Sequence, residues 1–159
     1  MTKLKVLIVD DEPNIVNACK RLLRGAGFEV IGSTDVHEAL KIVASQEIAV
    51  VISDQRMPDM TGAKFLSIIK ELSPETTRLI LTGYADIEAA ISAINDGHVY
   101  QYLTKPWDEE GILKAVEEAA QLHQKYLKSV SFNRSTRQKI LSLEMINSEL
   151  RAQLEGQTS

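Results

Sequence analysis

Cysteine and long apolar runs are what this sequence has least of. Its one cysteine, Cys19, excludes an internal disulfide and falls on a predicted apolar helix face, where a buried small hydrophobe is expected. No apolar run approaches the ~20 residues that a bilayer-spanning helix needs. The N-terminus, MTKLKVLIVDD, enters a strand pattern at once and lacks the apolar core and cleavage site of a signal peptide. We therefore expect a cytoplasmic protein without a membrane span.

Charge is unevenly divided along the 159 residues. Residues 1–120 hold 12 Lys and Arg against 19 Asp and Glu, whereas residues 121–159 hold 6 against 3. The hydrophobic content of 44% is typical of a globular protein, and the chain is long enough for one well-buried domain plus an appendage. These features predict a domain over residues 1–125 and a helical extension over residues 126–159.

The stretch VVISDQRMPDMTG, residues 50–62, contains the first indication of chemistry. Its apolar start is typical of a strand buried on both faces. The strand must end near Asp54, because Pro58 and Gly62 mark a turn. Asp54 therefore follows the carboxyl end of a buried strand, which is the edge that carries ligand sites in open α/β sheets.

The same strand pattern recurs along the chain and alternates with apolar residues at helical spacing. The predicted strands are residues 5–9, 28–32, 48–53, 78–81 and 99–103. This alternation predicts a doubly wound α/β domain, a five-stranded parallel sheet with helices on both faces. Right-handed crossovers bring the carboxyl ends of all strands to one edge. That edge then gathers Asp10, Asp11, Asp54, Thr82 and Lys105.

These side chains suit phosphoryl transfer. Three carboxylates without partners would repel one another, and Mg²⁺ relieves such repulsion while keeping room for water and a phosphate oxygen. Lys105 offers a positive charge and Thr82 a hydroxyl donor for phosphate oxygens. An ionised Asp54 is already a nucleophile, so no general base is needed. The alternative is that these are ordinary turn and cap residues at strand ends, which their combination disfavours.

Four motifs resemble those of response-regulator receiver domains of two-component signalling. They are VDDE (residues 9–12), DQRMPDMTG (54–62), LTG (81–83) and YLTKPW (102–107), in the order and spacing of that family. The resemblance covers about residues 3–125. It is greatest to receivers of HD-GYP-type phosphodiesterases, and then to those of hydrogenase-type transcriptional activators.

The resemblance implies a flavodoxin-like sheet with strand order 2-1-3-4-5 and a role for each motif residue. Asp54 would be the phosphoacceptor. Asp11, Asp54 and the backbone carbonyl of Arg56 would bind Mg²⁺, and Asp10 would hold the ion through water. Lys105 would pair with phosphoryl oxygens.

The resemblance also implies a switch. The peptide bond between Lys105 and Pro106 is usually cis in the family. Thr82 would move to the phosphoryl group, and Tyr102 would rotate inward behind it; the alternative for Tyr102 is a half-buried strand aromatic. Arg56 and Tyr84, which flank the site, are candidates for tuning the lifetime of the acyl phosphate, with a plain surface role as the alternative.

The C-terminal residues carry a short heptad pattern. Ile140, Leu143, Asn147, Leu150 and Leu154 fall at positions a, d, a, d and a, which is typical of a parallel two-stranded coiled coil. Lys139 and Glu144 then occupy g and e positions. A solvated linker helix is the alternative, and residues 129–136 fit either a hinge or a continuous helix. The basic residues of this segment lack a helix-turn-helix pattern, so we expect no nucleic-acid binding by this chain.

The partners follow from the resemblance. They are a sensor histidine kinase or phosphotransfer protein, a second copy of the chain, and an output domain of HD-GYP or DNA-binding type that these 159 residues do not contain. The second copy would bind through the C-terminal helix or the face of the fourth and fifth helices. We expect a switch without enzymatic turnover; the alternative is a Mg²⁺-dependent phosphohydrolase with Asp54 as nucleophile.

Overall fold

A computed structural model describes residues 3–157, with all of their side chains except those of residues 84, 133–135 and 157. The chain forms two units, Met1–Gln124 and Lys125–Ser159. The candidate site belongs to the first unit.

The sheet has the predicted architecture. Its strands are β1 (Lys5–Val9), β2 (Glu29–Ser33), β3 (Val50–Asp54), β4 (Thr77–Thr82) and β5 (Gln101–Thr104). All neighbouring strands are parallel, and the order is β2-β1-β3-β4-β5, which confirms the predicted fold class and strand order. The carboxyl ends of β1, β3 and β4 therefore lie side by side.

Helices connect the strands in sequence order. They are α1 (Pro13–Gly25), α2 (Val36–Ser45), α3 (Gly62–Leu72), α4 (Ile87–Asn95) and α5 (Glu109–Gln157), with a short 3-10 helix at Tyr84–Asp86. The side chain of Asp35 caps α2, because it accepts a hydrogen bond from the amide of His37 at 2.9 Å. The side chain of Thr61 caps α3 in the same way.

Two apolar layers cover the two faces of the sheet. Buried residues of α1 and α5 pack on one face, and those of α2, α3 and α4 pack on the other. Cys19 is fully buried in the first layer, and burial raises the pKa of its thiol to about 11. A thiol in that environment is a core side chain, as predicted, and not a nucleophile.

All strands except β1 differ from the sequence prediction by one or two residues at an end, most clearly β3 and β5. β3 begins two residues later and includes Asp54, whose partner in the ladder is Leu81. β5 begins at Gln101 because the amide of Val99 bonds to the carbonyl of Ala93, closing the turn after α4. That turn contains Gly97, which adopts a φ of 76°.

Residues 129–136 lie inside α5, so no helix begins there. The apolar residues of the heptad pattern are exposed, with Leu143 at 61% and Leu154 at 65%. The coiled coil stays a prediction. Among residues 3–157, no helix combines the length and the apolarity that crossing a membrane requires.

Candidate functional site

Lys105 joins the ends of two strands at the carboxyl edge of the sheet. Its Nζ lies 3.1 Å from Oδ2 of Asp10, which follows β1, and 3.1 Å from Oδ1 of Asp54, which ends β3. The backbone amide of Lys105 donates to the carbonyl of Thr82 at 2.9 Å, which holds the residue at the end of β4. The ammonium group is thus held between two carboxylates by backbone as well as side-chain contacts.

Asp10, Asp11 and Asp54 form a compact carboxylate cluster. Each offers one oxygen, and these oxygens all lie within 4.8 Å of one another. Asp10 and Asp54 are buried, whereas Asp11 is exposed and opens the cluster to solvent. Backbone amides orient the buried pair, since Glu12 donates to Asp10 and Gln55 donates to Asp54, both at 2.9 Å.

The cluster holds more negative charge than Lys105 balances. Burial raises the pKa of Asp10, and the nearby charge of Asp54 adds to the shift, although the amide of Glu12 and Lys105 oppose it. Burial lowers the pKa of Lys105, but its hydrogen bonds to Asp54 and Asp10 outweigh burial and the pKa is raised. An oxygen-rich, net negative cluster with one solvent-facing member fits a hard divalent cation such as Mg²⁺.

Thr82 and Tyr102 lie on the two strands beyond β3. Thr82 is fully buried at the end of β4, with Oγ1 3.2 Å from the carbonyl oxygen of Gly83. Tyr102 is partly buried in β5, next to Ile80 in the ladder, and packs against the apolar layer of α2, α3 and α4. Tyr102 is therefore a half-buried strand aromatic in this structure, and its role in a switch stays a prediction.

The segment after β5 combines a cis peptide bond with the chain's single tryptophan. The bond between Lys105 and Pro106 is cis. Trp107 is partly buried against the layer formed by α1 and α5. Because it lies two residues from Lys105 and is the sole tryptophan, its fluorescence is a direct probe of this site.

Sequence reasoning missed Gln55, which fastens the loop between β3 and α3. This side chain is 6% exposed, and its Oε1 accepts a hydrogen bond from the amide of Ala63 at 3.0 Å. The backbone amide of Gln55 donates to the carbonyl of Leu81, and its backbone carbonyl accepts a hydrogen bond from the amide of Gly62 at 2.9 Å. Gln55 thus satisfies two amides of the first turn of α3, and only its place between a strand end and a helix start hinted at this role.

Gly62 is required by the closeness of α3 to β3. A Cβ at this position would lie 2.2 Å from the carbonyl oxygen of Asp54 and 3.0 Å from the Cα of Gln55. Both atoms belong to the backbone and cannot move aside. The sequence predicts a turn at Gly62, and the structure shows that this glycine also lets α3 approach the end of β3.

Arg56 points away from the cluster and pairs with Asp86. Its Nε lies 2.7 Å from Oδ2 of Asp86, and its Nη2 lies 3.3 Å from Oδ1. Hydrogen bonding to Asp86, with a smaller effect of Asp54, raises the pKa of the exposed guanidinium. The side chain of Tyr84, the other predicted tuning residue, lies outside the described part of the chain.

Comparison with known families decides the assignment. The family described as Response regulator receiver domain matches residues 6–117. The chain belongs to this family. The resemblance carried by the four sequence motifs is confirmed.

Relatives of this receiver domain include a hydrogenase-type transcriptional regulator, as predicted, and the receiver of an HD domain-containing protein. It is 37% identical over 118 residues to the hydrogenase transcriptional regulatory protein HoxA of Bradyrhizobium diazoefficiens, a match over 74% of this chain and 24% of HoxA. The chain thus spans about a quarter of the length of that relative. The receiver domain of an HD domain-containing protein from Pseudomonas fluorescens Pf-5 is 33% identical, with a TM-score of 0.75 over 80% of this chain and 94% of that one.

A third similar structure is a receiver domain solved in solution. The beryllofluoride-activated NtrC4 receiver domain dimer is 31% identical, with a TM-score of 0.70 over 75% of this chain and 98% of that chain. The HoxA match relates this receiver to a transcriptional regulatory protein.

Proposed function

We propose that this receiver domain is a phosphorylation-dependent switch in which Asp54 accepts a phosphoryl group from a histidine kinase or phosphotransfer protein. The observation that carries the proposal is the ammonium of Lys105, held 3.1 Å from both Asp10 and Asp54 next to Asp11. Family membership adds independent support.

The transfer needs no further base. An oxygen of Asp54 forms a bond to phosphorus while the bond from phosphorus to the donor's nitrogen breaks, and the electron pair stays with that nitrogen. Lys105 balances the charge that develops on the phosphoryl oxygens. Burial of Asp54 keeps most water away from the acyl phosphate.

The carboxylate cluster fits Mg²⁺ through its donor set. Asp11, Asp54 and the carbonyl of Arg56 would bind it directly, and Asp10 through water. When bound, the ion supplies positive charge that phosphoryl oxygens require. The buried hydroxyl of Thr82 would turn from the carbonyl of Gly83 toward the phosphoryl group, and Tyr102 would follow into the space that Thr82 leaves.

A phosphohydrolase with an Asp54 nucleophile is the disfavoured alternative. Such enzymes usually place a second carboxylic acid close after the nucleophile, and here that place is taken by Arg56. The guanidinium of Arg56 is moreover engaged by Asp86. We therefore propose that turnover on phosphate esters is absent.

The test of this function is reaction with acetyl phosphate and Mg²⁺, followed by intact-protein mass. We expect one phosphoryl group on the native chain, labile to hydroxylamine. Asp54→Asn should carry none, whereas Asp59→Asn, an exposed aspartate in the same loop, should react as the native chain does. Rapid multiple turnover on phosphate esters would instead support the hydrolase.

Mg²⁺ binding is expected to stabilise the fold. An ion that binds only the folded state at 100 times its dissociation constant adds about 2.7 kcal/mol, or roughly 5–10 °C in melting temperature. Asp11→Asn should lose most of this response because it removes the solvent-facing ligand, whereas Asp59→Asn should keep it. Differential scanning calorimetry with and without Mg²⁺ measures the shift, and an equal shift in Asp11→Asn would contradict the ligand assignment.

The proposal extends to the chain's partners. HoxA is a transcriptional regulator about four times as long as the matched segment, so we propose an output domain of DNA-binding or HD-GYP type beyond the receiver. We further propose that the histidine kinase phosphorylates this receiver in the cytoplasm.

We also propose a homodimer through the exposed heptad of α5. Leu143 and Leu150 at d would pack across a parallel pair, and Asn147 at a would fix its register. In sedimentation velocity, the native chain should be a dimer and Leu143→Asp a monomer. Ser142→Asp, one position along the same helix, is the control. If Leu143→Asp remained a dimer, the heptad would not be the interface, and the face of α4 and α5 would be the alternative.

A further inference from the structure

The ion pair between Arg56 and Asp86 shares a cavity with Asp11 of the site. Both residues line an open cavity of about 510 Å³, together with Asp11, Gln55, Met57, Pro58 and Thr61. Arg56 lies two residues after Asp54, and Asp86 lies at the start of α4, 30 residues further along the chain. The pair therefore links the loop that follows β3 to the beginning of α4.

Asp86 occupies a position with two possible partners. It is the residue that precedes α4, where an aspartate ordinarily accepts hydrogen bonds from amides of the first helical turn. In the described structure its side chain makes no such bond: its backbone, with φ −115° and ψ 12°, lies outside the extended region of capping residues, and both of its oxygens face Arg56, at 2.7 Å and 3.3 Å. Asp86 therefore does not cap the first turn of α4 in this state.

Arg56 also has a second possible partner. Its side chain is 74% exposed, so it is free to change rotamer, and a guanidinium binds a phosphoryl group in the same two-pronged way as a carboxylate. A phosphoryl group on Asp54 would place about −1.5 to −2 charge two residues away from it.

We propose that Asp86 is a positioning residue that holds Arg56 away from the site in the unphosphorylated protein. When Asp54 carries a phosphoryl group, Arg56 leaves Asp86 for the phosphoryl oxygens, and Asp86, once released, takes up the extended backbone of a capping residue and caps α4. This exchange rests on the proposed function. It couples the anion at Asp54 to the first turn of α4 through two side chains.

The first test measures binding of beryllofluoride, an anionic phosphoryl mimic, with Mg²⁺ present and Trp107 fluorescence as the readout. Asp86→Asn weakens the hold on Arg56, so affinity should rise roughly fivefold. In an Arg56→Ala background the same substitution should change affinity less than about twofold, because Asp86 acts through Arg56. Glu88→Gln, which removes an equal charge from the first turn of α4, is the control and should have little effect in either background.

The second test follows the backbone amides of Glu88 and Ala89 by NMR. In the native chain, adding beryllofluoride should shift both resonances as the cap forms. In Asp86→Asn, whose side chain can cap without pairing, they should lie near the shifted positions before addition. In Asp86→Ala they should not reach those positions in either state.

Equal effects of Asp86→Asn in the native and Arg56→Ala backgrounds would overturn the proposal, as would amides that shift alike in native and Asp86→Ala proteins. A loss of urea resistance in Asp86→Asn without coupling to Arg56 would show a structural role and also overturn it. Failure of the proposed function looks different, because the native chain would then bind no beryllofluoride at all.

Discussion

Lys105→Met is expected to weaken binding of a phosphoryl mimic at Asp54 by at least about 100-fold, since it removes the ammonium that meets the phosphoryl oxygens. The same substitution should tighten Mg²⁺ binding by about tenfold, because Lys105 competes as a cation for Asp10 and Asp54. These opposite changes distinguish a lost charge from a damaged fold. Isothermal titration with each ligand measures them.

Lys105→Met should also destabilise the metal-free protein by about 1–3 kcal/mol, less than for a fully buried pair because the lysine side chain is 23% exposed. The loss should depend on pH. Asp10 has a pKa raised by burial, so the folded state binds more protons than the unfolded state above pH 3.8, and stability falls as pH rises through that window. Lys105 opposes this rise in the pKa of Asp10, so in Lys105→Met the pKa is raised further and stability falls over a pH range that extends higher.

The destabilisation should therefore be greatest near neutral pH and shrink as pH falls toward 3.8, the ordinary value for Asp10. Urea unfolding at several pH values, without divalent ions, measures it. Lys114→Met removes an exposed lysine from α5 and is the charge-matched control. A deficit in Lys105→Met that stays constant across this range would show that the loss is one of packing.

Gly62→Ala is expected to remove both stability and site function. The new Cβ would lie 2.2 Å from the carbonyl oxygen of Asp54, so α3 must shift or the end of β3 must distort. Overpacking of this kind costs about 1–3 kcal/mol or more. Either movement disturbs the bond from the Gly62 amide to Gln55 and the orientation of Asp54, so Mg²⁺ and beryllofluoride binding should fall together.

Gly25→Ala is the matched control for Gly62→Ala. A Cβ at Gly25 would have no described atom within 4 Å outside its own helix turn, and this glycine ends α1 on the opposite face of the sheet. There the methyl group should be neutral or stabilise the helix by up to about 1 kcal/mol. Equal urea midpoints and ligand affinities for the two variants would show that the contact at Gly62 is unimportant.

The parts of the site that the sequence predicts are those fixed by topology. Asp10 follows the buried strand β1, Asp54 ends the buried strand β3, and Lys105 follows the partly buried strand β5; parallel strands bring such ends together whatever the loops do. The apolar pattern therefore sufficed to place them at one edge, and the contacts of Lys105 follow from that placement.

The contacts that the sequence does not predict depend on loop geometry. Gln55 and Gly62 are important because α3 starts close to the end of β3. The spacing of apolar residues in the sequence does not predict how close these two elements lie. Arg56 and Asp86 are 30 residues apart in the sequence, and Asp86 lies at the end of the 3-10 helix that precedes α4. Only the folded structure shows that the side chain of Asp86 pairs with Arg56 and does not cap α4.

The central claim is that residue 54 itself receives the phosphoryl group. The most direct measurement is borohydride reduction of the acetyl phosphate-treated chain, which converts an aspartyl phosphate to homoserine, followed by peptide sequencing by mass spectrometry. We predict homoserine at position 54 in the native chain and at no aspartate in Asp54→Asn. Homoserine at Asp10, Asp11 or Asp59 instead of position 54, or unmodified peptides throughout, would contradict the account.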